Sequence, residues 1–296
     1  MDRCDGKGVV GMLKLFLFFA LAMGGAGTGP VRAQAAPVTP ETVPVADKAD
    51  MLFQVLLLDD MVSVLRREGL DYGVTLQRDL FPEGGTGWQG QVSVIYDQTR
   101  LAAEFKGSLR KEIPAEHLDD LLDFFTSELG RQVTQLELSA REALLDDALE
   151  QAADEMRDDM LADHPPRLDQ LQRFIEVNDL TEANVASALN ANLAFYQGLN
   201  RGGGFPDPLS EADILRDVWT QEPAIRKETG QWLLSFLGLA YQPLSAADLE
   251  AYIAFSETPA GQMLNRAQFA AFDALFADVS QRLGVAAAGH IAGEDL

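Results

Sequence analysis

The sequence predicts an all-α protein, a helical bundle made of two related helical units. Three observations carry that reading. Apolar residues recur at helical spacing, as in Leu118, Leu121, Leu122 and Phe125 at i, i+3, i+4 and i+7. Helix start and stop signals punctuate the chain at short intervals. Period-2 alternation is scarce, and its best example, Val92–Tyr96, is explained equally well by a helix. With 47% hydrophobic and 23% charged residues among 296, the chain has ample material for a packed core.

The elements follow in order. Residues 1–35 read as a signal peptide: Arg3, Lys7 and Lys14 are basic, Leu15–Met23 is apolar, and Ala33-Gln34-Ala35 is a small-x-small cleavage signal. The apolar run is well short of the ~20 residues that a spanning helix needs, so no membrane insertion is expected once the peptide is cut after Ala35. Cys4, the only cysteine, leaves with it, and disulfides and thiolate chemistry leave too. Residues 36–47 carry three prolines and no apolar period, which reads as an extended tether. Residues 48–166 form the first expected repeat. In it Met51–Leu65 reads as one buried helix, and Leu145, Leu149, Ala152, Met156 and Met160 make a longer stripe ended by Pro165-Pro166. Residues 167–284 form the second. Thr181, Ser210, Ser245 and Thr258-Pro259 are helix starts, Gly202-Gly203-Gly204 is a stop, and Phe269, Phe272, Phe276, Val279 and Leu283 are the face of a last long helix. Residues 285–296 read as a flexible tail.

The duplication rests on one ungapped alignment. Leu118–Val133 matches Leu249–Leu264 at a constant offset of 131, pairing Leu118 with Leu249, Phe124 with Phe255, Ser127 with Thr258 and Gly130 with Gly261. Upstream, Gly84–Gly87 and Gly202–Gly204 occupy comparable places. The order of acidic helix start, Leu, aromatic, small hydroxyl residue and Gly resembles that of the domain-of-unknown-function family 2059. The resemblance implies an exported bacterial protein with a helical fold, and brings no activity or catalytic residues. The second copy departs from the pattern where Ser256 stands in place of Phe125. Physically, Leu118, Phe124, Gly130, Leu249, Phe255 and Gly261 read as packing residues. Phe124 and Phe255 are both expected to be buried, and Gly130 and Gly261 to lie where helices cross closely.

The formal charge of −23 argues against nucleic acid and against anionic lipid surfaces. Gly85–Gly90 satisfies G-x-G-x-x-G, but no strand signal precedes it, so a flexible inter-helix loop is expected instead of a dinucleotide site. Asp154 and Asp158, and Asp159 and Asp163 beside His164, share helix faces and read as solvated acids without a calcium loop. His117, His164 and His290 lack zinc spacing, and no G-x-S-x-G elbow is present. No metal, cofactor or catalytic residue is therefore expected. The reading that remains is a periplasmic, non-enzymatic protein binding an unidentified protein or a small apolar ligand. The alternative is an envelope-associated hydrolase with unrecognised catalytic acids. An apolar groove would favour the first, and convergent titratable groups in a pocket the second.

Overall fold

The computed structural model describes residues 44–83 and 85–293, and among them all regular structure is helical. The signal peptide and most of the tether lie outside the described residues. The first six helices are α1 (Val45–Val55), α2 (Leu58–Leu80), α3 (Trp88–Ile95), α4 (Gln98–Glu112), α5 (Leu118–Phe125) and α6 (Glu128–Ala143). After α7 (Asp147–Asp163) come α8 (Pro166–Val177), α9 (Leu180–Arg201), α10 (Glu211–Trp219), α11 (Glu222–Tyr241), α12 (Ala246–Ser256) and α13 (Pro259–Ile291). Side-chain caps start many of them. Asp97, Ser127, Ser210, Ser245 and Thr258 each accept a hydrogen bond from the backbone N–H three residues on, satisfying a donor the helix leaves unpaired.

Several local expectations change in the fold. Met51–Leu65 is not one helix, because Leu57 adopts left-handed backbone (φ 52°) and separates α1 from α2. A straight helix through so apolar a run would leave part of it in water. The break lets Leu52 and Phe53 on one side, and Leu58, Met61 and Val62 on the other, all reach the core. Val45–Asp47, expected in the tether, already belong to α1. Thr181 is inside α9, which is preceded by Asp179 in left-handed backbone (φ 51°). The apolar stripe expected along α7 is only partly inward: Leu149 (49% exposed) and Ala152 face out, whereas Leu145, Met156 and Met160 are half-buried. Its buried face is Ala153 and Arg157, because the Arg157 guanidinium is held by Asp154, Asp158 and Ser235 of α11. The expected tail is helical as far as Ile291, with Ala287, Ala288 and His290 buried. Val92 lies in α3, not in a strand.

The order α1–α6 resembles α8–α13 in the lengths of the first three helices and in the left-handed residue between the first two members, whereas α13, at 33 residues, is twice as long as α6, at 16. Packing crosses between the two sets: α6 lies against α11, and α13 against α4. Helices α9 and α13 run side by side in the same direction, since Asn178 meets Asn265, Ser187 meets Asp273, and Gly198 and Gly202 meet the 281–288 stretch. Their backbones touch. A Cβ on Gly198 would overlap the carbonyl of Gln281, and one on Gly284 would overlap that of Phe195. A single hydrophobic core runs from Ala49 to Ala288, so the expected division at 166/167, which falls in the first turn of α8, does not separate two cores.

Candidate functional site

Of the six motif residues, Phe124 and Phe255 meet, Gly130 and Gly261 each abut the phenylalanine of their own segment, and Leu118 and Leu249 are core residues. Phe124 stacks on Phe255 with ring centroids 4.0 Å apart and planes 14° from parallel. Residues equivalent by the 131 offset therefore touch one another, at the place where the two sets of helices meet. Leu118, Leu249 and Phe255 are buried as expected; Phe124 is only half-buried, and its neighbour Phe125 takes the enclosed position. The small Ser256, in place of a second Phe, leaves room for the Asn178 amide, which donates to its hydroxyl at 3.2 Å. Gly130 and Gly261 each donate their N–H to the capping hydroxyl of Ser127 or Thr258, at 3.0 and 3.1 Å. The expected close approach is real, but its partner is local. A Cβ on either glycine would strike the carbonyl of Phe124 or Phe255, at the end of the preceding helix, and not a helix crossing from elsewhere.

The most perturbed carboxyl is one the sequence reading passed over. Glu137 of α6 is fully buried, and its Oε1 accepts from the hydroxyls of Tyr241 (2.5 Å) and Tyr252 (2.7 Å), which lie at the end of α11 and on α12. Its Oε2 has no partner. Burial pushes its pKa from 4.5 to about 8, against the lowering effect of the two tyrosines. A signal existed: Glu137 stands at apolar spacing between Val133 and Ala140, both buried on α6. Next to it on the same helix, the Arg141 guanidinium forms a two-pronged ion pair with Glu68 (2.8 and 2.9 Å) and lies over the Trp232 ring. This pair floors a cavity of about 430 Å³ rimmed by Asp71, Asp147 and Glu150.

A larger groove of about 780 Å³ opens between α3, the end of α9 and the C-terminal part of α13. Its apolar surface is Val94, Ile95, Val285 and Ala286, with Val94 72% exposed and Val285 40%. Gly87 and Gly90, the last two glycines of the G-x-G-x-x-G run, lie along one side. No strand precedes them; Gly85 and Gly87 take positive φ in the turn that starts α3, and Trp88 is buried with its indole N–H donated to the Gly73 carbonyl at 2.7 Å. Arg201 stands at the groove without an ion-pair partner among the described residues. Arg282 binds Asp278, whose Oδ2 also accepts from Arg100 of α4.

The other sequence candidates remain apart. Asp154 and Asp158 hold Arg157, Asp119 pairs with Lys48, and His164 is exposed at the end of α7. His290 is buried, stacked on Phe81 with Trp88 edge-on. Trp88, Tyr241 and Tyr252 are core, Trp232 stands over Arg141, and Trp219 is exposed. Among the described residues no group of three or more His, Cys, Asp or Glu is placed to hold a metal ion, and no helix is long and apolar enough to cross a membrane. Comparison with protein-family models, curated proteins and solved structures finds no match.

Proposed function

We propose that the chain is an exported, periplasmic binding protein without catalytic activity, made of two copies of a six-helix unit, α1–α6 and α8–α13, joined by α7. The 131-residue offset, the matched helix order and the crossed packing support the duplication, and the resemblance to domain-of-unknown-function family 2059 accords with export. One observation carries the binding role. The groove of about 780 Å³ sets Val94, Ile95, Val285 and Ala286 beside Arg201 and the Asp278–Arg282 ion pair, the composition of a site that holds a ligand by an apolar surface and a few polar groups. Glu137, the carboxyl with the most displaced proton affinity, lines none of the three cavities described and is sealed by its tyrosines. The 430 Å³ cavity is floored by an ion pair already satisfied on both sides.

Expression of the full chain in a Gram-negative host and fractionation of the cells test this reading. The periplasmic fraction should contain a protein whose intact mass begins at Ala36. Native mass spectrometry of that material should show a retained small molecule. A chain keeping Met1 in the cytoplasm would overturn the export reading, and a protein that turns over envelope material would overturn the non-enzymatic one.

A further inference from the structure

The charge on the 780 Å³ groove points the opposite way from the rest of the molecule. The chain as a whole carries −23, yet the ionisable groups lining the groove are Arg201, Arg282 and Asp278, a local balance of +1. Asp278 is already engaged twice, by the Arg282 Nε at 2.7 Å and the Arg100 Nη1 at 2.9 Å, whereas Arg201 is uncommitted. An apolar floor beside one unengaged guanidinium fits a molecule with an apolar chain and a single negative charge. The guanidinium fork matches a carboxylate in two parallel hydrogen bonds. A protein partner fits less well, because a stable interface needs about 800 Å² from each side. The large apolar residues exposed at the groove are only Val94 and Val285, beside half-buried Ala286 and the edge of Ile95. The volume instead falls in the ~300–1,000 Å³ range of small-molecule sites.

We infer that the groove between α3 and α13 binds a fatty acid, its acyl chain lying along Val94, Ile95, Val285 and Ala286 and its carboxylate on Arg201. The inference rests on the binding role proposed above and names its ligand class. Gly90 offers a clean way to close the groove. It lies within α3, lines the groove, and a Cβ there would have no atom within 4 Å, so a larger side chain enters open space without displacing the core.

The test is calorimetric titration of the purified chain with dodecanoate below its micelle concentration, beside dodecanol and dodecyltrimethylammonium. Dodecanoate should bind one per chain and more tightly than either control. Gly90→Phe should abolish binding while the melting temperature stays at or above that of the wild type. Val94→Asp, which places a negative charge on the exposed floor, should weaken dodecanoate more than dodecanol. Arg201→Gln should weaken dodecanoate about tenfold, as loss of a charge-assisted hydrogen bond does, and leave dodecanol unchanged. Dodecanoate binding that survives Gly90→Phe, or a preference for the cationic amphiphile, overturns the assignment. If dodecanoate does not bind but Gly90→Phe strips the molecule retained during purification, the fatty-acid class falls and the binding role stands. If Gly90→Phe changes neither, both fall.

Discussion

Gly130 is the third residue of a capped helix whose first turn folds back on the helix before it, and Gly261 repeats that arrangement. Each amide is spent on a capping hydroxyl, and each Cα faces a phenylalanine carbonyl too closely to carry a Cβ. Gly130→Ala and Gly261→Ala should therefore each destabilise by about 1–3 kcal/mol through overpacking, although alanine is the better helix former. Gly90 is the control. With open space around its Cα, Gly90→Ala should gain up to ~1 kcal/mol from helix propensity. Denaturant midpoints of the three variants decide this, and equal effects at all three positions would refute the local clash. Glu137 makes a separate prediction. Its folded-state pKa of about 8 lies above its ordinary 4.5, so the folded chain keeps a proton that the unfolded chain releases. The stability it contributes is complete below about pH 4.5, is lost as pH rises through about 8, and is level above that. The gap in melting temperature between Glu137→Gln and wild type should widen in favour of the variant across that window; a constant gap would show that Glu137 is ionised throughout.

At the scale of helices, the stack of Phe124 on Phe255 joins α5 to α12. Phe255 is buried, so Phe255→Ala should cost ~3–5 kcal/mol through lost burial and the cavity left behind. Phe124→Ala should cost less, because half-burial leaves fewer contacts to lose. The double variant should be less destabilised than the two singles added together, by the ~0.5–1.5 kcal/mol of an aromatic pair. Strict additivity in a double-mutant cycle would mean the rings do not couple. These helices are also where sequence periodicity was most and least informative. The face Leu118–Leu121–Leu122–Phe125 packs as spaced. The stripe along α7 does so only in its second half: Met156 and Met160 approach α11 beside Ala153 and the buried Arg157, while Leu149 and Ala152 face out. A charged residue can occupy the inward position when acids of its own helix, here Asp154 and Asp158, and a hydroxyl of the neighbouring one, Ser235, receive it, and apolar spacing alone carries no word of such partners.

For the molecule as a whole, crossed packing matters more than the length of any helix. Since α13 lies against both α9 and α4, and α6 against α11, neither half owns its core. Unfolding should be one cooperative transition, with far-ultraviolet circular dichroism and tryptophan fluorescence giving the same midpoint. Residues 44–164 expressed without residues 165–296 should stay largely unfolded or aggregate, having lost the surfaces that cover α4 and α6. Two separated transitions, or a folded soluble half, would show two independent units instead.

The sequence by itself determined the helical class, the capping residues Ser210, Ser245 and Thr258, and the packing character of the 118–130 and 249–261 segments. Those properties are local: a hydroxyl before a helix, an apolar spacing of three and four, a glycine at a fixed register. Tertiary structure alone decided that Phe124 would meet Phe255, that Glu137 would be closed in by Tyr241 and Tyr252, and that α13 would continue through residues expected to be a tail. It also decided where the groove lies, bringing Val94, Arg201 and Val285 together from three helices far apart in the chain. Each of these depends on which surface of another helix arrives opposite a residue, and that is set by the sum of all the packing contacts, not by any neighbour in sequence.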